Sequence, residues 1–188
     1  MIIVNSLGCP SSGKTSLSVG LFAKLKTMGL NVEFSQEVAK IWCYQGITIN
    51  KYGQYIIFGE EVRQQSRLFG AVDILLSDSS PILSAFYNFY YNSGDTSLNE
   101  ACKGFYKKVA EDNIQVLNFY LPRKKKYIQA GRYQTEKESD EVAEALQKWL
   151  GEQGYSYTYL DCSDEERVDV VFKKLEEVTG GFNGMFLV

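Results

Sequence analysis

The chain alternates between short continuous apolar runs and longer stretches with apolar residues at helical spacing. Residues 1–6, Met-Ile-Ile-Val-Asn-Ser, read as a short buried strand. Residues 16–28 place Leu17, Leu21, Leu25 and Met28 on one helical face, and Gly29 suits the position just past a helix end. Residues 31–35 predict a second strand, 41–51 a short helix and loop, and 52–70 a long helix. Val72 to Ser77 is an unbroken apolar run apart from Asp73, as expected for a strand buried on both faces. Pro81 then opens an aromatic helix. Residues 114–121 and 155–160 predict two more strands. Ser97-x-x-Glu100, Thr135-x-x-Glu138 and Ser163-x-x-Glu166 each have the spacing of a helix-opening capping box.

Strands alternating with helices predict an α/β fold with a parallel sheet of about five strands and helices on both faces. The whole chain, 1–188, reads as one domain, with a loop at 122–135 and a glycine-rich tail at 180–188. The tail has three open readings: an edge strand, packing on the core, or a homodimer contact. In such sheets ligands bind beyond the C-terminal strand ends, where the loop after the first strand, Glu37, Asp78 and the loop at 122–135 all fall.

The loop after the first strand is Gly8-Cys9-Pro10-Ser11-Ser12-Gly13-Lys14-Thr15, which fits G-x-x-x-x-G-K-[ST]. A strand before it and a helix after it complete the context of a P-loop NTPase. Gly8 and Gly13 permit turns that aim backbone N–H groups, including those near Ser11, Ser12 and Ser16, at phosphate oxygens. Lys14 can reach the β- and γ-phosphates, and the Thr15 hydroxyl can bind Mg²⁺. ATP with Mg²⁺ is the expected ligand.

Composition narrows the partners. The net charge of −3 gives no global basic field for nucleic acid, and no apolar run is long enough to span a membrane. The chain opens directly on the strand that the loop needs, so no signal peptide is expected. Four cysteines without C-x-x-C spacing and no histidine argue against zinc. The cysteines read as free thiols in a reducing cytoplasm.

Asp78 closes the third strand, where an acidic residue can support Mg²⁺; the alternative is a cap for the Pro81 helix, which Ser79 or Ser80 could also supply. Glu37, just past the second strand, can hold or deprotonate an acceptor hydroxyl, or sit as a solvated first-turn carboxylate. Residues 123–133 are basic, with Arg123 after Pro122 and Arg132 after Gly131. They fit a lid over transferring phosphate, a solvated loop, or a strip for a polynucleotide backbone. Among the aromatics, Phe86, Phe89 and Tyr90 read as core, while Trp42, Tyr44 and Tyr87 are candidates to stack on a base. Arg63 and Arg67 could take an acceptor phosphate or pair with Glu60.

Taken together, the phosphate loop, the Glu after strand two, Asp78-Ser79-Ser80-Pro81 and Tyr127-x-x-x-Gly131-Arg132-Tyr133-Gln134-Thr135 resemble the ribosylnicotinamide-kinase-like P-loop proteins, many of them bacteriophage-encoded. The resemblance runs to about residue 178. It implies that Lys14 and Thr15 serve ATP and Mg²⁺, and that Asp78 serves the metal or the acceptor hydroxyl. Glu37 would hold the acceptor sugar or act as base, and Arg123 and Arg132 would be lid arginines. Residues 161–163 would lie near the adenine. Many relatives have Arg where this chain has Ser79, which leaves the phosphorylation state of the acceptor open.

The expected function is transfer of the γ-phosphate of ATP to a nucleoside, a (deoxy)nucleoside monophosphate or a related small acceptor, in the cytoplasm (the host's if phage-encoded). Two alternatives stand beside it. One is a kinase acting on a modified base of the 5-hydroxymethyluracil type in DNA. The other is a nucleotide-gated ATPase switch with no small acceptor.

Overall fold

The computed structural model describes residues 1–185. Its strands are β1 (Ile2–Leu7), β2 (Val32–Ser35), β3 (Ile74–Ser77), β4 (Gln115–Tyr120) and β5 (Thr158–Tyr159). Its helices are α1 (Lys14–Thr27), α2 (Val38–Tyr44), α3 (Gly53–Ser66), α4 (Pro81–Tyr91), α5 (Ser97–Glu111), α6 (Glu136–Glu152) and α7 (Arg167–Thr179). The strands form one parallel sheet in the order β2-β3-β1-β4-β5.

β1 is central and all six of its residues are buried, so its apolar residues pack on both faces and its two polar ones, Asn5 and Ser6, are hydrogen-bonded. Alternation along it divides the core. Ile2 and Val4 face Leu17, Leu21 and Leu25 of α1 and Val171 and Leu175 of α7. Ile3 and Leu7 face the opposite layer, where α4, α5 and α6 supply Phe86, Cys102, Val109, Leu146 and Trp149. Asn5 reaches that same layer, donating to Tyr106 Oη at 3.1 Å. The predicted α/β sandwich is therefore the observed one. All the strands run the same way, so the loop after β1, Glu37 and Asp78 gather at one edge.

Local chemistry sets the helix starts. Ser80 Oγ accepts from Ile82 N–H at 3.2 Å, and Pro81 fills the first helical position. Thr135 and Glu138 form the complete predicted capping box.

Four details differ from expectation. Ser97 does not cap α5: Asp95 Oδ1 accepts its N–H at 2.9 Å, and its hydroxyl is engaged by Tyr55 Oη at 2.6 Å. Glu166 accepts from Ser163 N–H at 2.9 Å, but α7 starts only at Arg167, because 163–166 is held as a turn. β5 is two residues long; Tyr155 is drawn off the strand to stack on Trp149, with ring centroids 5.5 Å apart. Met28, expected on the buried face of α1, is exposed at the helix end. Of the tail, Phe182 packs on Phe172 in the α1–α7 layer, and Met185 O accepts Asn31 N–H at 3.1 Å. Residues 186–188 lie outside the described residues.

Candidate active site

The loop between β1 and α1 is shaped by its two glycines. A Cβ at Gly8 (φ 152°) would lie 2.6 Å from Leu121 O, and one at Gly13 (φ 99°) 3.0 Å from Arg167 Nη1. Ser11 is held at φ 65° without being glycine. Its Oγ accepts the N–H of Ile128 at 3.2 Å, tying the phosphate loop to the basic loop. Pro10 O accepts from Ser139 Oγ at 2.8 Å. Arg167, 1% exposed, donates to Ser12 O at 2.6 Å and to Pro122 O, and pairs with Asp164 at 2.6 Å. The loop is thus clamped from α6 and α7. Lys14 Nζ donates to Gly8 O at 3.0 Å and Cys9 O at 3.1 Å, inside the concavity. The amides opening α1 have no helical partner, which suits an anion.

Thr15 Oγ1 donates to Asp78 Oδ2 at 2.6 Å. Asp78 is 2% exposed, and its other oxygen, Oδ1, is buried without a hydrogen-bond partner among the described residues. Burial, then the nearby Glu37 charge, pushes its carboxyl up to about 6, while Thr15, Lys14 and Lys40 pull the other way. The alternative role of Asp78 as a helix cap falls to Ser80. A hard, desolvated oxygen pair with one free lone-pair site fits Mg²⁺. No cluster of three metal-ligating side chains occurs among the described residues, so phosphate oxygens and water would complete the shell.

A cavity of about 750 Å³ runs from Pro10–Ser16 to Glu37 and on to Tyr87, Tyr91, Asn92 and Gln54. Glu37 is the N-cap residue of α2 and accepts no capping bond with its side chain. The loop 122–134 covers the cavity and meets the opposite wall at three points. Gly131 (φ 72°) lies against the Tyr44 ring, Tyr133 Oη donates to Ile47 O, and Gln134 Nε2 donates to Tyr91 Oη at 3.0 Å.

The two expected lid arginines differ. Arg132 lines the cavity, its guanidinium donating to Ile128 O at 3.1 Å and Ala130 O at 2.7 Å. Arg123 does not line it: it pairs with Glu136 at 2.7 Å and with Asp140, and fixes the root of the loop on α6. Arg63 and Arg67 also lie away from the cavity, in a hollow beside β2 with Phe34 and Gln36, and Arg63 is held by Glu60 at 2.7 Å. Trp42 does not stack into the cavity; as part of α2 it packs towards Ile49 and Gly53. Tyr44 is exposed and turned to Gly131. Tyr87 is on the cavity wall, offset-stacked with Tyr91 at 6.0 Å. Asp161, at the loop after β5, pairs with Lys124.

Sequence reasoning missed Lys40, Gln54 and Glu61, and took Lys125 only as part of the basic loop. Lys40 Nζ lies 3.4 Å from Thr15 Oγ1, and Lys125 Nζ lies 3.2 Å from Asp164. Gln54 is buried and lines the cavity. Glu61, 3% exposed, accepts from Ser79 Oγ and Ser84 Oγ, each at 2.7 Å. A signal for two of these existed. Gln54, Ile57, Glu61 and Gln65 share one helical face, so α3 turns a polar stripe to the interior.

Solved structures share this architecture. The NadR protein in complex with NR matches at TM-score 0.69 and 22% identity, covering 95% of this chain and 51% of that one. NadR in complex with NAD and AMP-PNP matches at 0.67 and 20%, covering 95% and 49%. Deoxyadenosine kinase from M. mycoides with bound dATP matches at 0.56 and 16%, covering 94% and 100%. The chain thus spans about half the length of the NadR structures, and at these identities the likeness establishes the fold alone. No curated protein matches the chain. A family model described as an AAA domain matches residues 3–167, and the chain belongs to that family.

Proposed function

We propose that the protein is a kinase that moves the γ-phosphate of ATP to a hydroxyl of a small nucleoside-type acceptor. The carrying observation is that one cavity joins the phosphate loop to the Glu37 carboxylate and to a wall of Tyr87, Tyr91, Asn92 and Gln54. A phosphate donor and a hydroxyl acceptor can meet there under a cover that limits water. Structures of this fold solved with AMP-PNP, NR and dATP support nucleotide-like ligands.

The loop amides and Lys14 would hold the β- and γ-phosphates. Thr15 and Asp78 would hold Mg²⁺, which supplies charge neutralisation on the transferring oxygens. Glu37 would orient the acceptor hydroxyl and take its proton as the oxygen–phosphorus bond forms and the bond to the ADP oxygen breaks. Arg132 would bring a further cation from the lid. With no histidine in the chain, a carboxylate is the natural base.

Two features favour a nucleoside over a nucleoside monophosphate. Arg63 and Arg67 are outside the cavity. Lys51, on the far wall, turns its ammonium over the Tyr52 ring at 4.9 Å. A polynucleotide acceptor is disfavoured because Arg123, Lys124 and Lys125 of the basic strip are each neutralised by a carboxylate. The four free thiols fit a reducing compartment, and no helix among the described residues could cross a membrane.

The test is to incubate the protein with Mg·ATP and a panel of nucleosides, nucleoside monophosphates and modified-base oligonucleotides. ADP and phosphorylated products are followed, with Lys14→Ala as control. Product from a nucleoside, lost in Lys14→Ala, is the expected result. Product only on an oligonucleotide, or slow ADP release independent of any acceptor, would overturn the reading.

A further inference from the structure

Lys40 stands in the first turn of α2, three residues after Glu37, and reaches back across the cavity to the Thr15–Asp78 pair. Its Nζ is 3.4 Å from Thr15 Oγ1, which is itself 2.6 Å from Asp78 Oδ2. Among the described residues it forms no ion pair. The other cations around the phosphate loop are engaged. Lys14 is on the Gly8 and Cys9 carbonyls, and Lys125 is on Asp164. Arg132 is on Ile128 and Ala130 carbonyls, and Arg167 is on Ser12, Pro122 and Asp164. Lys40 is held only by one long hydrogen bond, donated to the Thr15 hydroxyl at 3.4 Å, and an ammonium so weakly tied, facing a concavity built for phosphate, is free to take an anion.

The direction of approach adds to this. Lys14 comes from the floor and Arg132 from the lid, whereas Lys40 comes from the acceptor side, beside Glu37. Phosphoryl transfer spreads charge over three equatorial oxygens, and a cation on that side meets charge the other two do not. A divalent ion at Thr15 and Asp78 would also repel the ammonium from its present position. Moving it costs little packing, because α2 has seven residues and buries only Val38. A lysine, a compact charge on a flexible stem, suits that movement better than an arginine fork.

We propose that Lys40 is a catalytic residue that contacts the γ-phosphate from the acceptor side, so that α2 distinguishes ATP from ADP. The inference rests on the kinase reading above and assigns a residue to that site. It gives α2 two jobs: Glu37 handles the acceptor hydroxyl, and Lys40 handles the group it receives.

The test compares AMP-PNP and ADP binding by calorimetry in Mg²⁺ for the parent protein, Lys40→Met, Lys40→Arg and Lys14→Ala. Lys40→Met is expected to weaken AMP-PNP about tenfold, the worth of one hydrogen bond to a charged group, with ADP changed less than about twofold. Turnover is expected to fall roughly 100-fold, as for loss of one transition-state donor. Lys40→Arg should recover part of the AMP-PNP affinity. Melting midpoints close to the parent's would show that the variants fold. Equal losses for AMP-PNP and ADP, or no loss for either, would overturn the role of Lys40. Unchanged nucleotide binding in Lys14→Ala would instead overturn the kinase reading on which it stands.

Discussion

The two halves of the cavity are built on different principles. The phosphate half is seven consecutive residues, Pro10 to Ser16, and its chemistry is mostly backbone: turned amides, a helix start and one lysine. The acceptor half is assembled from the start of α2, the α2–α3 connection, α4 and the lid, and its chemistry is mostly side chain. The first is clamped by the buried Arg167 and by Ser139; the second is closed by Tyr133, Gln134 and the Tyr44–Gly131 contact at the surface. A function that every NTPase shares can be fixed by a rigid local motif. Ligand selectivity falls to dispersed positions on loops and element ends.

The sharpest way to break this contrast is at Lys14. Lys14→Ala should abolish phosphoryl transfer to any acceptor, by roughly 1,000-fold or more, because the lost cation serves the transferring group itself. Nucleotide binding should fall in parallel, read by calorimetry, while circular dichroism stays that of the parent. If turnover with the best acceptor survives, the phosphate half does not do the chemistry.

Glu37→Gln probes the other half and should act differently. Turnover is expected to fall about 100-fold, the usual worth of a positioned base, with AMP-PNP affinity unchanged. The amide keeps the shape but cannot take the proton. An equal loss of nucleotide affinity would move Glu37 from the acceptor to the phosphate or metal.

The same contrast explains how much could be read from the sequence. Gly8 to Thr15 is legible because its residue types are dictated by one conformation over eight positions. Asp78 is legible because it ends a buried strand in the register of β1. The acceptor wall is not, because Gln54, Tyr91 and Lys40 meet only through tertiary packing. Arg63 and Arg67 show the reverse failure: a one-turn pair of cations looks like a phosphate clamp, yet the rotation of α3 about its buried face points them to a different hollow. Arg123 is legible as a cation of the basic loop, but its place is the root of that loop, where it pairs with Glu136 and Asp140 of α6.

Behind the acceptor wall, the polar stripe of α3 predicts a pH effect on stability. Glu61 is buried between α3 and α4 and held by Ser79 and Ser84, and burial raises its carboxyl to about 8. Glu37 from α2 adds to the rise, while Tyr106 and Cys102 of α5 face it with their own ionisations raised by burial. The folded state therefore holds this proton between about 4.5 and 8, where the unfolded chain has lost it. The stability it contributes is present at low pH and is lost as pH rises through about 8. Glu61→Gln should raise the melting midpoint by roughly 5–10 °C at pH 8.5, a few kcal/mol for a chain of this size, and by under about 2 °C at pH 5. Equal shifts at both pH values would show that no raised Glu61 ionisation is linked to folding in this range.

The smallest expected effect is the most specific for the acceptor. The double variant Arg63→Ala, Arg67→Ala removes two cations from the hollow beside β2, outside the cavity. Arg63 is exposed in its pair with Glu60, so its loss should leave the melting midpoint close to the parent's. If the acceptor is a nucleoside, its KM should stay within about twofold of the parent, because nothing charged on it needs an arginine. A monophosphate acceptor would respond differently. Losing a charge-assisted contact to its phosphate should raise KM about tenfold or more while leaving kcat intact, the mark of binding shared by ground and transition states. That outcome would require α3 to turn these side chains inward when the acceptor binds, and it would move the acceptor's anionic group to the β2 side of the site.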